Sequence, residues 1–106
     1  QELLYPPYGH LILVRIEGNT EKRVEKKAIQ IGRAARLLKG QDRDVMILGP
    51  APSPRRKVIG KFRWQVLFKS ASRGPVRNLV KNLLAEGHLK AHGLKIVVDV
   101  DPGDLM

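Results

Sequence analysis

The 106 residues are 42% hydrophobic and 28% charged, which suits one globular domain and excludes a disordered tail, a collagen or two separate cores. There is no cysteine, so a disulfide scaffold, a thiolate zinc site, a cysteine nucleophile and a redox switch are excluded. Twenty Lys and Arg face ten Asp and Glu, and the resulting net charge of +10 suits a polyanionic partner.

Taken in chain order, Tyr5-Pro6-Pro7-Tyr8-Gly9 reads as an extended lead-in over residues 1–9, because adjacent prolines forbid helix. From His10 to Glu17, Ile12, Val14 and Ile16 alternate with Leu11, Leu13, Arg15 and Glu17, which predicts a strand. Gly18-Asn19 turns the chain and Asn19 or Thr20 caps a helix. Its apolar stripe is Val24, Ala28, Ile31, Ala35 and Leu38, and Gly40 ends it. Val45–Leu48 predicts a short strand. The three prolines of Gly49-Pro50-Ala51-Pro52-Ser53-Pro54 then predict a loop that presents Arg55, Arg56 and Lys57. Phe62, Trp64, Val66 and Phe68 alternate with Arg63, Gln65, Leu67 and Lys69 in a third strand, and the aromatic alternation places Trp64 in the core. Pro75, behind Gly74, suits a first helical position. Val76, Leu79, Val80, Leu83 and Leu84 form the stripe of a second helix, which Gly87 closes. Leu94, Ile96, Val98 and Val100 make the last strand, and Pro102-Gly103 stops it before a short tail over residues 102–106.

The order βαββαβ predicts an α+β fold. Right-handed crossovers would set both helices on one face of a four-stranded antiparallel sheet, a ferredoxin-like sandwich over residues 10–101. The other face would display Arg15, Arg63, Gln65, Lys69 and Lys95 with Leu11, Leu13 and Leu67 among them, a docking surface without exposed aromatics.

The charge is unevenly spread. Residues 1–44 hold nine basic and six acidic side chains and residues 86–106 hold two and four, whereas residues 45–85 hold nine basic and no acidic one. A one-sign stretch of that length points to nucleic acid or an acidic peptide, with Arg55, Arg56, Lys57, Lys61, Arg63 and Lys69 as the phosphate contacts.

Catalytic signatures do not assemble. The residue five before Gly60-Lys61 is Arg55 where a P-loop needs glycine, and Phe62 fills the Ser/Thr position. His88 and His92 have the spacing of two ligands on one helix face, but Leu89 replaces the zinc-protease glutamate and glycines flank the pair, so no metal is expected. Asp99-Val100-Asp101-Pro102-Gly103-Asp104 has a misplaced glycine for a calcium loop. Ser53, Ser70, Ser72 and His10 form no nucleophile and base pattern, so these residues are expected to be non-catalytic and to hold no cofactor. No run approaches the roughly 18 apolar residues of a transmembrane helix and no signal peptide is visible, so no membrane contact and a cytoplasmic location are expected. Opening on Gln1, the chain reads as one domain of something larger.

Three stretches occur together: Tyr5-Pro6-Pro7-Tyr8-Gly9-His10, then Leu48-Gly49-Pro50-Ala51-Pro52 running into Arg63-Trp64-Gln65, then Asp99-Val100-Asp101-Pro102. They resemble the C-terminal domain of the PriA family of bacterial primosomal replication-restart DNA helicases, in order and spacing over essentially the whole chain. The resemblance implies a parent enzyme that hydrolyses ATP with Mg, unwinds DNA 3′ to 5′, carries Zn elsewhere and reloads the replicative helicase at stalled forks. For this domain it implies a fold like that of a ribosomal small-subunit protein. It also implies binding to single-stranded or branched DNA, to the acidic C-terminal tail of the single-stranded DNA-binding protein SSB, and to the remaining domains of the parent helicase. The family's tail-contacting arginine matches Arg73, and Arg77 stands where familiar members carry glutamine. Tyr8 stands where Phe is usual. Guanidinium groups suit this task because they offer bidentate donors to a carboxylate and cannot deprotonate. The alternative reading is a ribosomal-type structural protein that packs its basic loop into RNA.

Overall fold

In the computed structural model of the chain, residues 9–58 and 61–100 are described, with the backbone alone for 54–58. The alternating and helical patterns of the sequence become β1 (His10–Gly18), α1 (Glu21–Lys39), β2 (Val45–Val58), β3 (Lys61–Ser70), α2 (Arg73–Ala85) and β4 (Lys95–Val100). The strands form one sheet in the order β2-β3-β1-β4, and every neighbouring pair is antiparallel. Each helix therefore carries the chain across one intervening strand, as in a ferredoxin-like α+β sandwich of βαββαβ order.

Register explains why the core is continuous. Val14 stands opposite Val66 on one side and Val98 on the other, so side chains of one parity from all three strands share a face. Both helices bury most of their stripes there: Val24, Ala28, Ile31 and Ala35 from α1, and Val76, Leu79, Val80 and Leu83 from α2, whereas Leu84, expected in the α2 stripe, is half-exposed. Phe68 is fully buried among them. Trp64 is half-buried against this core, and its Nε1–H reaches Glu21 Oε2 at 3.5 Å.

Two boundaries differ from expectation. The prolines after Leu48 do not break the strand, because β2 lies at the sheet edge, where one row of N–H groups has no ladder partner to lose. Register shifts between Leu48 and Ala51, and between Pro52 and Lys57, absorb the misfit, so Lys57 lies opposite Phe62 in a long hairpin and not in a loop. Helix α2 begins at Arg73, two residues before Pro75, because the first-turn N–H groups have no intrahelical acceptor and proline is tolerated there. The helix ends in a Schellman arrangement. Gly87 lies at φ +79°, its N–H bonds to the Leu84 carbonyl at 3.0 Å, and the His88 N–H bonds to the Leu83 carbonyl at 2.9 Å. Thr20 occupies the N-cap of α1, without a side-chain cap hydrogen bond.

The bulge at Gly49 locks β2 to α1. Gly49 adopts φ +93°, and Pro50 lies against Gly32, where a Cβ would come within 3.0 Å of its ring. Arg36 Nη2 donates to the Gly49 carbonyl at 2.8 Å and to the Ile47 carbonyl at 3.4 Å. No described helix is long and apolar enough to cross a membrane. The expected lead-in before Gly9, the side chains of Arg55, Arg56 and Lys57, and the tail from Asp101 lie outside the described residues.

Candidate nucleic-acid interface

The expected site residues fall at two ends of the sheet. Lys61 is exposed at the start of β3, beside the hairpin arm that carries Arg55–Lys57. Arg73 and Arg77 are exposed in the first turns of α2, just past the other end of β3. At about 3.3 Å per strand residue, Lys61 and Ser70 are roughly 30 Å apart, so the two groups cannot act on one small ligand. Arg73, Arg77 and His10 converge on a narrow cleft where α2 starts, β1 starts and β4 ends, with Val100 beside them. The first turn of α2 contains no acidic residue to occupy its free N–H groups.

On the far side of the sheet the expected row is present, but its arginines are engaged. Glu17 is buried despite facing away from the helices. Its Oε2 lies 3.0 Å from Arg63 Nε and 3.5 Å from Arg15 Nε. Neither Nε–H makes a hydrogen bond, so the attraction is mainly Coulombic. Lys95 is the cross-strand neighbour of Glu17. Half-exposed Leu48 and Met46 stand next to Leu67 and Lys69 on this face. Arg63 is thus a partly neutralised cation inside a charged cluster, and Lys69 sits at the opposite, apolar end of the row.

A third cationic surface was missed in the sequence. Helix α1 carries Lys22, Arg23, Lys26, Lys27, Arg33, Arg36 and Lys39 against Glu21 and Glu25. A linear tally of residues 1–44 hides this, because it credits Glu17, which lies on the other side of the sheet, and Asp42 and Asp44, which follow the helix. Counting charge within the predicted helix alone would have revealed it.

The outer side of α1 is held in a defined shape. Arg23 Nη2 donates to the His92 carbonyl at 2.6 Å, pinning the loop after α2 to the start of α1. Lys27 Nζ donates to Gln30 Oε1 at 2.9 Å, and Gln30 Nε2 donates to His88 Nδ1 at 2.7 Å. The imidazole proton then resides on Nε2, 3.2 Å from Glu86 Oε1. His88 is thereby committed to Gln30 and Glu86, and no group of three metal-ligating side chains occurs among the described residues. Partial burial strips water from the Lys27 ammonium and lowers its pKa below the usual lysine value.

A family model described as the primosomal protein N C-terminal domain matches residues 1–103. The chain belongs to that family. It is 36% identical over 103 residues to the replication restart protein PriA of Synechocystis sp., covering 94% of this chain and 11% of that protein. It is 28% identical to the PriA of Haemophilus influenzae, over 94% of this chain and 13% of the relative. To that of Bacillus subtilis it is 27% identical, over 100% of this chain and 13% of the relative. The chain therefore spans little more than a tenth of the length of these curated relatives. Among solved structures, the de novo designed protein Foldit4 superposes with a TM-score of 0.62 at 17% identity, over 90% of this chain and 98% of that one. An amidase of the hydantoinase/carbamoylase family from Burkholderia phymatum superposes at 0.56 with 12% identity, over 89% of this chain and 28% of the enzyme. These likenesses concern the fold alone, and a fold of this kind hosts unrelated functions.

Proposed function

We propose that this primosomal protein N C-terminal domain is the DNA-binding and SSB-tail-binding module of an ATP-dependent 3′ to 5′ DNA helicase that restarts stalled forks and assembles the primosome. The observation that carries the reading is the family match across residues 1–103, reinforced by relatives named as replication restart proteins. The module contributes cations, not catalysis. ATP, Mg and Zn belong to the remainder of the parent helicase, whose other domains complete the partners of this one. Nucleic acid is held through phosphates, since the net charge of +10 suits a polyanion and, among the described residues, no aromatic side chain lies on the far face of the sheet. Arg55, Arg56, Lys57, Lys61, Arg63 and Lys69 supply the hairpin and sheet contacts. Arg73, with Arg77, receives the acidic tail at the start of α2, where guanidinium donors and free N–H groups lie together.

Fluorescence anisotropy of labelled single-stranded and branched DNA, titrated across ionic strength, tests the first half. Affinity should fall steeply with salt and depend little on sequence, and a flat salt response would remove the phosphate reading. An RNA of equal length that bound more tightly by tenfold would favour a ribosomal-type role instead. In the full-length parent, Arg73→Ala should weaken binding of an SSB tail peptide roughly tenfold or more, because a charged bidentate contact contributes about 1.5–3 kcal/mol. Lys81→Ala, on the same helix but farther from its N-terminus, should leave it unchanged. Equal losses at Arg73, Arg77 and Lys81 would mean diffuse attraction without a site.

A further inference from the structure

The outer side of α1 carries two adjoining clefts that share Lys26 and Gln30. One, of about 380 Å³, runs towards Leu37 between α1 and His88, and the other, of about 520 Å³, runs towards Arg23 between α1 and Leu94. Together they make a path along α1 of about 21 Å, from the 14 steps between Arg23 and Leu37 at ~1.5 Å each. Four cations line it, Arg23, Lys26, Lys27 and Arg33, and no acidic side chain does. Its apolar lining is Ile29 and Ala34 with Leu37 at the rim in one cleft, and Ala91 and Leu94 in the other. Leu37 is 82% exposed, the most exposed large apolar side chain among the described residues. An apolar side chain so placed between arginines and lysines of a surface helix has no packing role in the domain itself.

We infer that this path binds one strand of nucleic acid, its phosphates on Lys26, Lys27 and Arg33 and its bases and sugars against Ile29 and Leu37; the inference rests on the DNA-binding reading above. Cations recur along the path at about one or two helical turns, as Arg23 to Lys27 and Lys26 to Arg33, and a phosphodiester strand supplies an anion at every residue to meet them. A duplex fits poorly, because its base faces are hidden in the stack and its convex backbone would bridge the clefts without reaching the apolar lining. The hydrogen-bonded series Lys27, Gln30, His88 and the Arg23 contact to His92 hold the walls before any ligand arrives, which limits the ordering cost of binding. Partial desolvation of Lys27 makes a facing phosphate more valuable to it than water alone.

The 106-residue chain, its Lys26→Ala/Lys27→Ala/Arg33→Ala variant, an Arg55→Ala/Arg56→Ala/Lys57→Ala variant and Leu37→Gln would each be titrated with labelled oligothymidylate and with a duplex of equal length. Circular dichroism would check that each is folded. The α1 triple variant should lower single-strand affinity at least tenfold and reduce the salt slope by about 2, at ~0.7 per lost phosphate contact. The charge-retaining Lys26→Arg/Lys27→Arg/Arg33→Lys variant should restore most of it. Leu37→Gln should weaken the single strand severalfold and leave the duplex unchanged. If wild type binds and only the hairpin variant loses affinity, the α1 path is overturned while the DNA-binding reading stands. If wild type binds neither nucleic acid at low salt, both fall. Displacement of oligothymidylate by an equimolar peptide of alternating glutamate and leucine would overturn the nucleic-acid assignment in favour of an acidic protein segment.

Discussion

Replacing Gly49 by alanine isolates the energetic role of the β2 bulge. At φ +93° an alanine enters backbone territory that costs an L-residue about 1–2 kcal/mol. The new Cβ would also stand 2.9 Å from the Gln65 carbonyl oxygen and 3.2 Å from the Ala51 nitrogen. The Gln65 oxygen belongs to the paired strand β3, so relief there requires the strands to part, while the Ala51 nitrogen lies in β2 itself and yields only if the bulge distorts; together these add about 1–3 kcal/mol on the scale of overpacked interiors. Lower entropy of the unfolded chain offsets about 0.4–1 kcal/mol, leaving a net loss of about 1–5 kcal/mol with its midpoint near 3. Gly87→Ala is the matched control: φ is +79°, yet nothing lies within 4 Å of its Cβ position, so about 1 kcal/mol or less is expected. For a domain of this size, each kcal/mol shifts the melting temperature by about 4–8 °C. Thermal unfolding followed by far-ultraviolet circular dichroism should therefore place Gly49→Ala roughly 12–24 °C below wild type, at a loss of about 3 kcal/mol, and Gly87→Ala within about 8 °C. Equal shifts for the two would refute the assignment of the extra cost to the close approach of β3.

Two further expectations follow from the same geometry. Phe68→Ala removes a fully buried ring that pairs across the sheet with Ile12 and Ile47, and should cost about 3–5 kcal/mol in urea unfolding; a loss under 1 kcal/mol would mean that the core collapses around the gap. Glu17→Gln keeps the shape of the side chain but removes the charge facing Arg63 and Arg15; it should lower stability by about 1 kcal/mol, discounted because both arginines are partly exposed, and raise single-strand affinity at low salt by freeing two cations. Unchanged affinity would show that the far face of the sheet lies away from the bound strand.

The element order and most of the core are readable in the sequence itself, because both rest on local periodicity. Ile12, Val14 and Ile16 must share a face of any strand, and Val24, Ala28, Ile31 and Ala35 must share a side of any helix. The Gly87 helix stop is equally local, since it needs only a residue comfortable at positive φ. The family signal in the proline-rich and aspartate-rich stretches is also a property of the linear chain. What periodicity cannot convey is which strand lies at the edge. Pro50, Pro52 and Pro54 read as a loop because proline lacks a donor, and only the order β2-β3-β1-β4 places that missing donor at an edge, where a bulged strand continues. The same holds for charge. Glu17 and the α1 lysines are near in sequence, but the sheet separates them, so the carboxylate neutralises Arg15 and Arg63 on one side and leaves the seven cations of α1 facing two carboxylates, Glu21 and Glu25, on the other. Net charge is additive along a chain, whereas Coulombic attraction falls with distance and is screened by solvent, so only the tertiary arrangement decides which charges cancel.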